Sequence, residues 1–326
     1  MKEPLALGHE SSGIVTALGS DVTNFKIGDK VALEVGLPCE TCDLCKAGRY
    51  NICKGMRFRS SAKAFPHFQG TLQEKINHPA KWCHKLPESL SLDHGAVLEP
   101  LGVAIHATRR ARLPSGANVL VFGAGAVGLL CAYSAKQAGA ARVLIADIVK
   151  SRIEFAVTNG FADEGFLVPM KRGQTVEEEL EIAKSTAAAV IDYPVAGHPM
   201  GELDVIFECT GVPSCVQASI YATKAGGRVM LIGMGTPVYT LPVSAAALRE
   251  VDICGVFRYA NTYEEGISMM SKGVKPDLTT IVTHRFHGLE NARAAFDMAA
   301  KTVDSDGKLV LKVVLDMSTQ TLTNGS

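Results

Sequence analysis

The 326-residue chain is too long for one ordinary hydrophobic core, so two domains are expected. Hydrophobic residues make up 47%, and Lys plus Arg balance Asp plus Glu at 33 each. That composition excludes broad disorder and leaves no electrostatic case for nucleic acid or an anionic membrane as partner.

The opening stretch MKEPLALGHE has an acid and no sustained apolar run, so no signal peptide is expected. Residues 1 to about 100 hold short strand-like runs, GIVTALG and KVALEV, with turns such as KIGD between them. This predicts a small, irregular β domain. His9 and Glu10 stand side by side near its start; a metal could use both, but two adjacent donors do not make a site. Four of the nine cysteines crowd into PCETCDLCKAGRYNIC: Cys39, Cys42, Cys45 and Cys53. Their C-x2-C-x2-C-x7-C spacing lets one loop wrap one ion. Four soft thiolates suit tetrahedral zinc, and a site with no open position is structural rather than catalytic. Cys83, Cys131, Cys209, Cys215 and Cys254 have no such spacing and are expected in the core.

From Asn118 the pattern alternates. NVLVFG predicts a strand, AVGLLCAYSAKQAG a helix, RVLIAD a strand and SRIEFAVTNG a helix. TVEEELEIAKSTAAAV predicts a helix and DYPVAGHPMG a loop. DVIFE (strand), SCVQASIYATKAG (helix), RVMLIG (strand) and DICGV (strand) follow. Such alternation predicts a parallel sheet covered on both faces. The apolar run Val119 to Ala135 approaches the length of a membrane span, but its three glycines predict a strand and a turn instead. Those glycines, Gly123, Gly125 and Gly128 of GAGAVG, follow a predicted strand and open a predicted helix, as a dinucleotide fingerprint requires. Asp147 closes the next strand, nineteen residues after Gly128. There a carboxylate can accept from the ribose hydroxyls of NAD and would repel the extra phosphate of NADP.

After Val256 the expected order is a helix (YEEGISMMSKG), a strand (IVTHRF), a helix (LENARAAFDMAAK) and a last strand (KLVLKVVL), returning to the first domain. The end, STQTLTNGS, is a polar tail.

The motifs LGHESSG, PCETCDLCKAGRYNIC, KLPESLSLDHGAVLEPLGVAIHA, VLVFGAGAVG, ECTG and REVDICGVFRYANTY occur in one order. Together they resemble the zinc-containing medium-chain dehydrogenase/reductase superfamily, and more closely its sorbitol/xylitol (polyol) dehydrogenase branch. The resemblance runs from about Pro4 to Leu315. It implies an α/β fold: a Rossmann doubly wound parallel sheet plus a GroES-like β domain. Residues 1–100 and 259–326 would form the catalytic domain and 101–258 the NAD-binding domain.

The resemblance further implies that His9, Glu10 and Glu99 serve the catalytic zinc, Glu99 directly or through water. Arg258 and Tyr259 would lie near substrate hydroxyls. Phe58 matches a substrate-pocket aromatic only loosely. Val127, Asp147, Arg152, Ile232, Gly233, Met234, Val256, Phe257 and Arg258 match cofactor positions, beside the three glycines. In the family a CGSD-H motif before GHE supplies the first catalytic zinc ligand, a Cys. This chain starts eight residues before His9 and has no Cys before Cys39. The sequence therefore leads us to expect a shortened β domain, an incomplete catalytic zinc site and doubtful turnover.

The expected activity is NAD-dependent hydride transfer from a polyol, by a cytoplasmic homo-oligomer (a tetramer, by the resemblance). Two alternatives stay open: a zinc alcohol or threonine dehydrogenase, and a non-catalytic NAD-binding remnant. GVFRYANTY and Glu99 favour the polyol.

Overall fold

A computed structural model describes residues 1–317 of the chain; the tail STQTLTNGS lies outside the described residues. The chain divides into two compact units. One comprises Met1–Glu99 and Tyr263–Ser326, the other Pro100–Thr262.

The first unit opens with β1 (Ser12–Ile14), β2 (Lys30–Leu33), β3 (Gly36–Leu37), α1 (Asp43–Lys46), β4 (Arg57–Phe58) and β5 (Cys83–Lys85). β1, β2 and β5 form a three-stranded antiparallel sheet, and β3 pairs with β4. Of the run GIVTALG only its first two residues lie in a strand. Val31, Leu33 and Val35 make the small core, packed against Val15, Phe25, Phe58 and Ile76. Alternate residues of the KVALEV run point inward here, as a strand period of two requires. Helix α2 (Leu92–Ala111) follows, and the division between units falls inside it. Ser91 starts it: the Ser91 Oγ accepts the His94 N–H (3.4 Å) and the His94 Nδ1 accepts the Ser91 N–H (3.2 Å). That is a capping box with an imidazole in place of the usual carboxylate.

The second unit is a parallel α/β sheet. Its elements are β6 (Asn118–Phe122), α3 (Ala126–Gln137), β7 (Arg142–Asp147), α4 (Lys150–Thr158), β8 (Glu164–Leu167), α5 (Val176–Ile191), β9 (Pro194–Val195), β10 (His198–Pro199), β11 (Leu203–Glu208), α6 (Pro213–Ala222), β12 (Thr223–Leu231), α7 (Val243–Ala247) and β13 (Asp252–Gly255). The six-stranded sheet runs β13-β12-β11-β6-β7-β8, all parallel, which is the Rossmann order. Leu120 and Phe122 turn to one face, where Ala183, Ala187 and Val190 of α5 and Ala218 and Ala222 of α6 cover them. Val121 turns to the other, against α3 at Gly128. DYPVAGHPMG, expected as a loop, holds the tiny β9–β10 hairpin. The helix expected through TKAG ends at Ala222. The Thr223 Oγ1 donates to the Ser219 carbonyl (2.7 Å) and closes the last turn, so that TKAG enters β12.

The chain then rejoins the first unit with α8 (Tyr263–Ser271), β14 (Val282–His287), α9 (Ala292–Ala299) and β15 (Lys312–Asp316). β14 and β15 pair in parallel. Among the described residues no helix is long and apolar enough to cross a membrane.

Candidate active site

In the first unit the cysteine loop is closed on itself. The α1 turn and the single 3-10 turn after it bring Cys39, Cys42, Cys45 and Cys53 together, with sulfur–sulfur separations of 3.4 to 3.9 Å. Four sulfurs about 2.3 Å from a tetrahedral zinc stand about 3.8 Å apart, so the loop already has the size of a zinc-thiolate cage. Backbone N–H groups of Thr41 and Cys42 pull the Cys39 thiol down to about 6, while burial pushes Cys45 up to about 12. Four thiols this close cannot all ionise alone; a dication makes that possible and releases their protons. The loop is latched below. The Tyr50 hydroxyl donates to Glu34 Oε1 (2.6 Å), and Glu34 Oε2 meets His84 Nε2 on β5 (2.9 Å).

A second donor group gathers in the same unit. His9, Glu10 and Glu99 present one ligand atom each, all within 4.8 Å of one another. Glu99, on α2, is buried. One imidazole and two carboxylates fit zinc, and three protein donors leave a position open. The Phe58 ring lies 5.6 Å from the His9 ring. Sequence reasoning missed Lys312. Its ammonium meets the Glu10 carboxylate, and burial pulls its pKa down to about 8. The signal was a lone Lys inside the apolar run KLVLKVVL.

In the second unit the glycine-rich turn joins β6 to α3. Gly123 has φ 96°, which its sharp bend demands. A Cβ on Gly128 would fall 1.8 Å from the Gly123 carbonyl oxygen, so only glycine fits there. A Cβ on Gly125 would meet nothing within 4 Å, which leaves open space where α3 begins, with Val127 in its first turn and no side chain capping it. A phosphate can approach such an uncapped helix start closely. Asp147 at the end of β7 is buried, and both of its oxygens work: Oδ2 accepts the Ala124 N–H (2.7 Å) and Oδ1 the Val149 N–H (2.8 Å). It therefore braces the glycine turn, with lone pairs left for ribose hydroxyls. Arg152 lies on α4, and its buried Nε has no protein partner.

Ile232, Gly233 and Met234 follow β12. The Ile232 and Gly233 N–H groups both donate to the Glu208 carbonyl at 2.9 Å. The Glu208 carboxylate, also missed from sequence, accepts from the Thr210 and Gly211 backbone N–H groups and from the Thr210 hydroxyl. Burial raises its pKa. One side chain thus ties the ECTG loop, and its main chain ties the IGM loop to it. Val256 continues from β13 with its N–H on the Leu231 carbonyl (3.0 Å). Phe257 is exposed, with the Arg258 guanidinium 4.7 Å from its ring centre, and Tyr259 is buried.

Comparison with known proteins identifies the family. Residues 1–88 match the alcohol dehydrogenase GroES-like domain and residues 126–272 the zinc-binding dehydrogenase family. The chain is 41% identical to the sorbitol dehydrogenase of Gallus gallus, over 91% of this chain and 78% of that one. It is 37% identical to the sorbitol dehydrogenase of Arabidopsis thaliana, over 97% of this chain and 81% of that one. The crystal structure of L-idonate 5-dehydrogenase from Escherichia coli K-12 superposes with a TM-score of 0.80 at 27% identity, covering 97% of this chain and 83% of that one. A Rossmann sheet with a glycine fingerprint, a GroES-like unit with a thiolate cage and a His-Glu-Glu donor group, and this level of identity have one joint consequence: the chain belongs to the zinc-containing medium-chain dehydrogenase/reductase family, in its polyol dehydrogenase branch.

Proposed function

We propose that the chain oxidises a secondary hydroxyl of a polyol, such as sorbitol or xylitol, with NAD as hydride acceptor, and catalyses the reverse reduction. The observation that carries this reading is the convergence of His9, Glu10 and Glu99 in a unit separately stapled by four cysteines. Relatives named sorbitol dehydrogenase support the substrate class.

His9, Glu10 and Glu99 would hold the metal. When bound, zinc supplies Lewis acidity toward the substrate oxygen and NAD takes up the hydride. Glu10 or Glu99, with water, takes the proton that leaves the hydroxyl. Gly123, Gly125 and Gly128 give the pyrophosphate room, and Val127, Arg152 and the 232–234 and 256–258 segments line the remaining cofactor surface. Asp147 accepts from the ribose hydroxyls and disfavours a 2′-phosphate. Arg258 and Tyr259 hold the further hydroxyls that distinguish a polyol from a simple alcohol. We also infer a homo-oligomer of the cytosol. Edge strand β13 leaves Ile253 exposed, and a zinc cage of four cysteines needs them reduced, as suits a reducing compartment.

The test is NADH formation by the zinc-loaded chain from sorbitol and xylitol against threonine and ethanol. Glu99→Gln should lose most of the polyol rate, and Asp147→Ala should narrow the preference for NAD over NADP. Faster turnover of threonine or ethanol would transfer the chain to another branch of the family. NADP used as readily as NAD by the unmodified chain would overturn the role of Asp147.

A further inference from the structure

The segment carrying Arg258 and Tyr259 has an uncommon backbone, and helix α2 supplies what holds it. Arg258 (φ 52°) and Asn261 (φ 56°) are both left-handed. Asparagine visits that conformation readily, but an arginine keeps it only where its surroundings impose it. Two guanidinium groups bracket the bend. Before it, Arg110 Nε donates to the Gly255 carbonyl (3.0 Å). After it, Arg109 donates to the carbonyls of Asn261 (2.8 Å) and Ala260 (3.4 Å). Two turns earlier on the same face of α2, Gly102 lies under Tyr259. A Cβ on Gly102 would stand 3.1 Å from Cγ of the Tyr259 ring and 2.8 Å from Thr262 Oγ1. The bare helix surface at Gly102 is therefore what lets the ring seat. Both Arg109 bonds leave from one nitrogen, Nη1, so what a lysine would lose is the planar, pre-organised reach of the guanidinium.

We propose that Gly102, Arg109 and Arg110 form a cradle on α2 that positions Arg258 and Tyr259 and so sets the preference for a substrate with several hydroxyls over a simple alcohol. The inference rests on Arg258 and Tyr259 being the groups that hold those hydroxyls. The three cradle residues are positioning residues: they fix the backbone from which the two side chains reach, and touch no substrate themselves. The two carbonyls at the exit and the one at the entrance leave the segment little freedom to relax out of its left-handed turns while both arginines are in place.

The experiment compares the zinc-loaded full chain with R109A/R110A, R109K, G102A and R258A. Hydrogen–deuterium exchange is followed across residues 255–262, with KM and kcat for sorbitol and for 2-propanol, and with the thermal midpoint as a check on folding. R109A/R110A should speed exchange in that segment, and raise the sorbitol KM, each roughly tenfold, as expected for lost hydrogen bonds to charged groups. The sorbitol kcat and the 2-propanol KM should stay within a factor of about two, because neither depends on an interaction the cradle fixes. G102A should act in the same direction by lifting the Tyr259 ring, and R109K should fall between. If turnover is too slow to follow, the slowing of exchange across 255–262 by sorbitol in the presence of NADH takes the place of the rate ratio.

Unchanged exchange in R109A/R110A would overturn the cradle. Faster exchange with an unchanged sorbitol-to-propanol ratio would overturn its role in specificity. R258A then separates the two failures. If it lowers the ratio, only the cradle has failed; if it too leaves the ratio unmoved, the polyol-holding role of Arg258 has failed with it.

Discussion

His78 is held neutral by its neighbours. Its Nδ1 accepts the Arg59 Nε–H (3.1 Å), and its Nε2 lies on the Glu34 carbonyl (3.1 Å), so a second proton would face a guanidinium. Burial first, and the Arg59 charge second, lower its pKa from 6.5 to about 4. The other titratable groups nearby are His84, the Glu34 carboxylate that His84 and Tyr50 occupy, and Cys83, whose thiol burial pushes up to about 11. Between these limits the unfolded chain takes up a proton that the folded chain refuses. Stability is therefore complete above about pH 6.5 and drops as pH falls toward 4, with a loss on the order of 2 kcal/mol at pH 5. Denaturant titrations at pH 7 and pH 5 should show this, and His78→Gln should flatten the difference, since an amide can accept from Arg59 and donate to Glu34. An unaltered pH slope in His78→Gln would assign the loss to another group. Lys312 carries a second prediction at this scale. Its ammonium competes with a metal for Glu10. Lys312→Met should tighten zinc at the His9, Glu10 and Glu99 group by about tenfold, as removal of a nearby like charge does. Competition with a chromogenic chelator measures it, and equal or weaker affinity would count against the competition.

Among the elements, the loop from Cys39 to Cys53 and the helix α2 behave differently as carriers of function. The loop's four sulfurs are soft, preassembled and latched through Tyr50 to Glu34. The other donor group is one imidazole with two carboxylates, the adjacent His9 and Glu10 and the sequence-distant Glu99. A mild chelator should therefore strip the His-Glu-Glu group first and leave one zinc per chain. Cys39→Ser should release that remaining ion and lower the thermal midpoint, because metal affinity in such a loop is folding free energy. Retention of two ions through the chelator would contradict the ranking. The loop was legible because its chemistry lies within fifteen residues of one sequence stretch. The strands and helices around GAGAVG were legible for a similar reason: period and turn chemistry agree locally. Contacts across long separations were not. Nothing in KLVLKVVL names Glu10 as the partner of Lys312, and nothing in HATRRA points to the carbonyls of residues 255, 260 and 261. Asp147 shows a third limit. Its position at a strand end was readable, but the bracing of Ala124 and Val149 needs coordinates.

At the scale of the whole molecule, the second unit is one unbroken stretch, while the first is assembled from two pieces separated by it. Local wiring favours early folding, and contacts of long sequence separation come late. In refolding followed by pulsed hydrogen exchange, amides of β6, β7 and β11 should gain protection before those of β14 and β15. Simultaneous protection would show that the two units fold as one cooperative body. The pair formed by Glu10 and Lys312 spans 302 positions. On a ribosome His9, Glu10 and Glu99 are all made before Lys312, which lies more than two hundred residues beyond Glu99. Until then the three donors exist without the Lys312 ammonium. The Lys312 ammonium reaches Glu10 only once the second piece of the first unit has docked, so loading of the metal becomes a question of timing as much as of affinity.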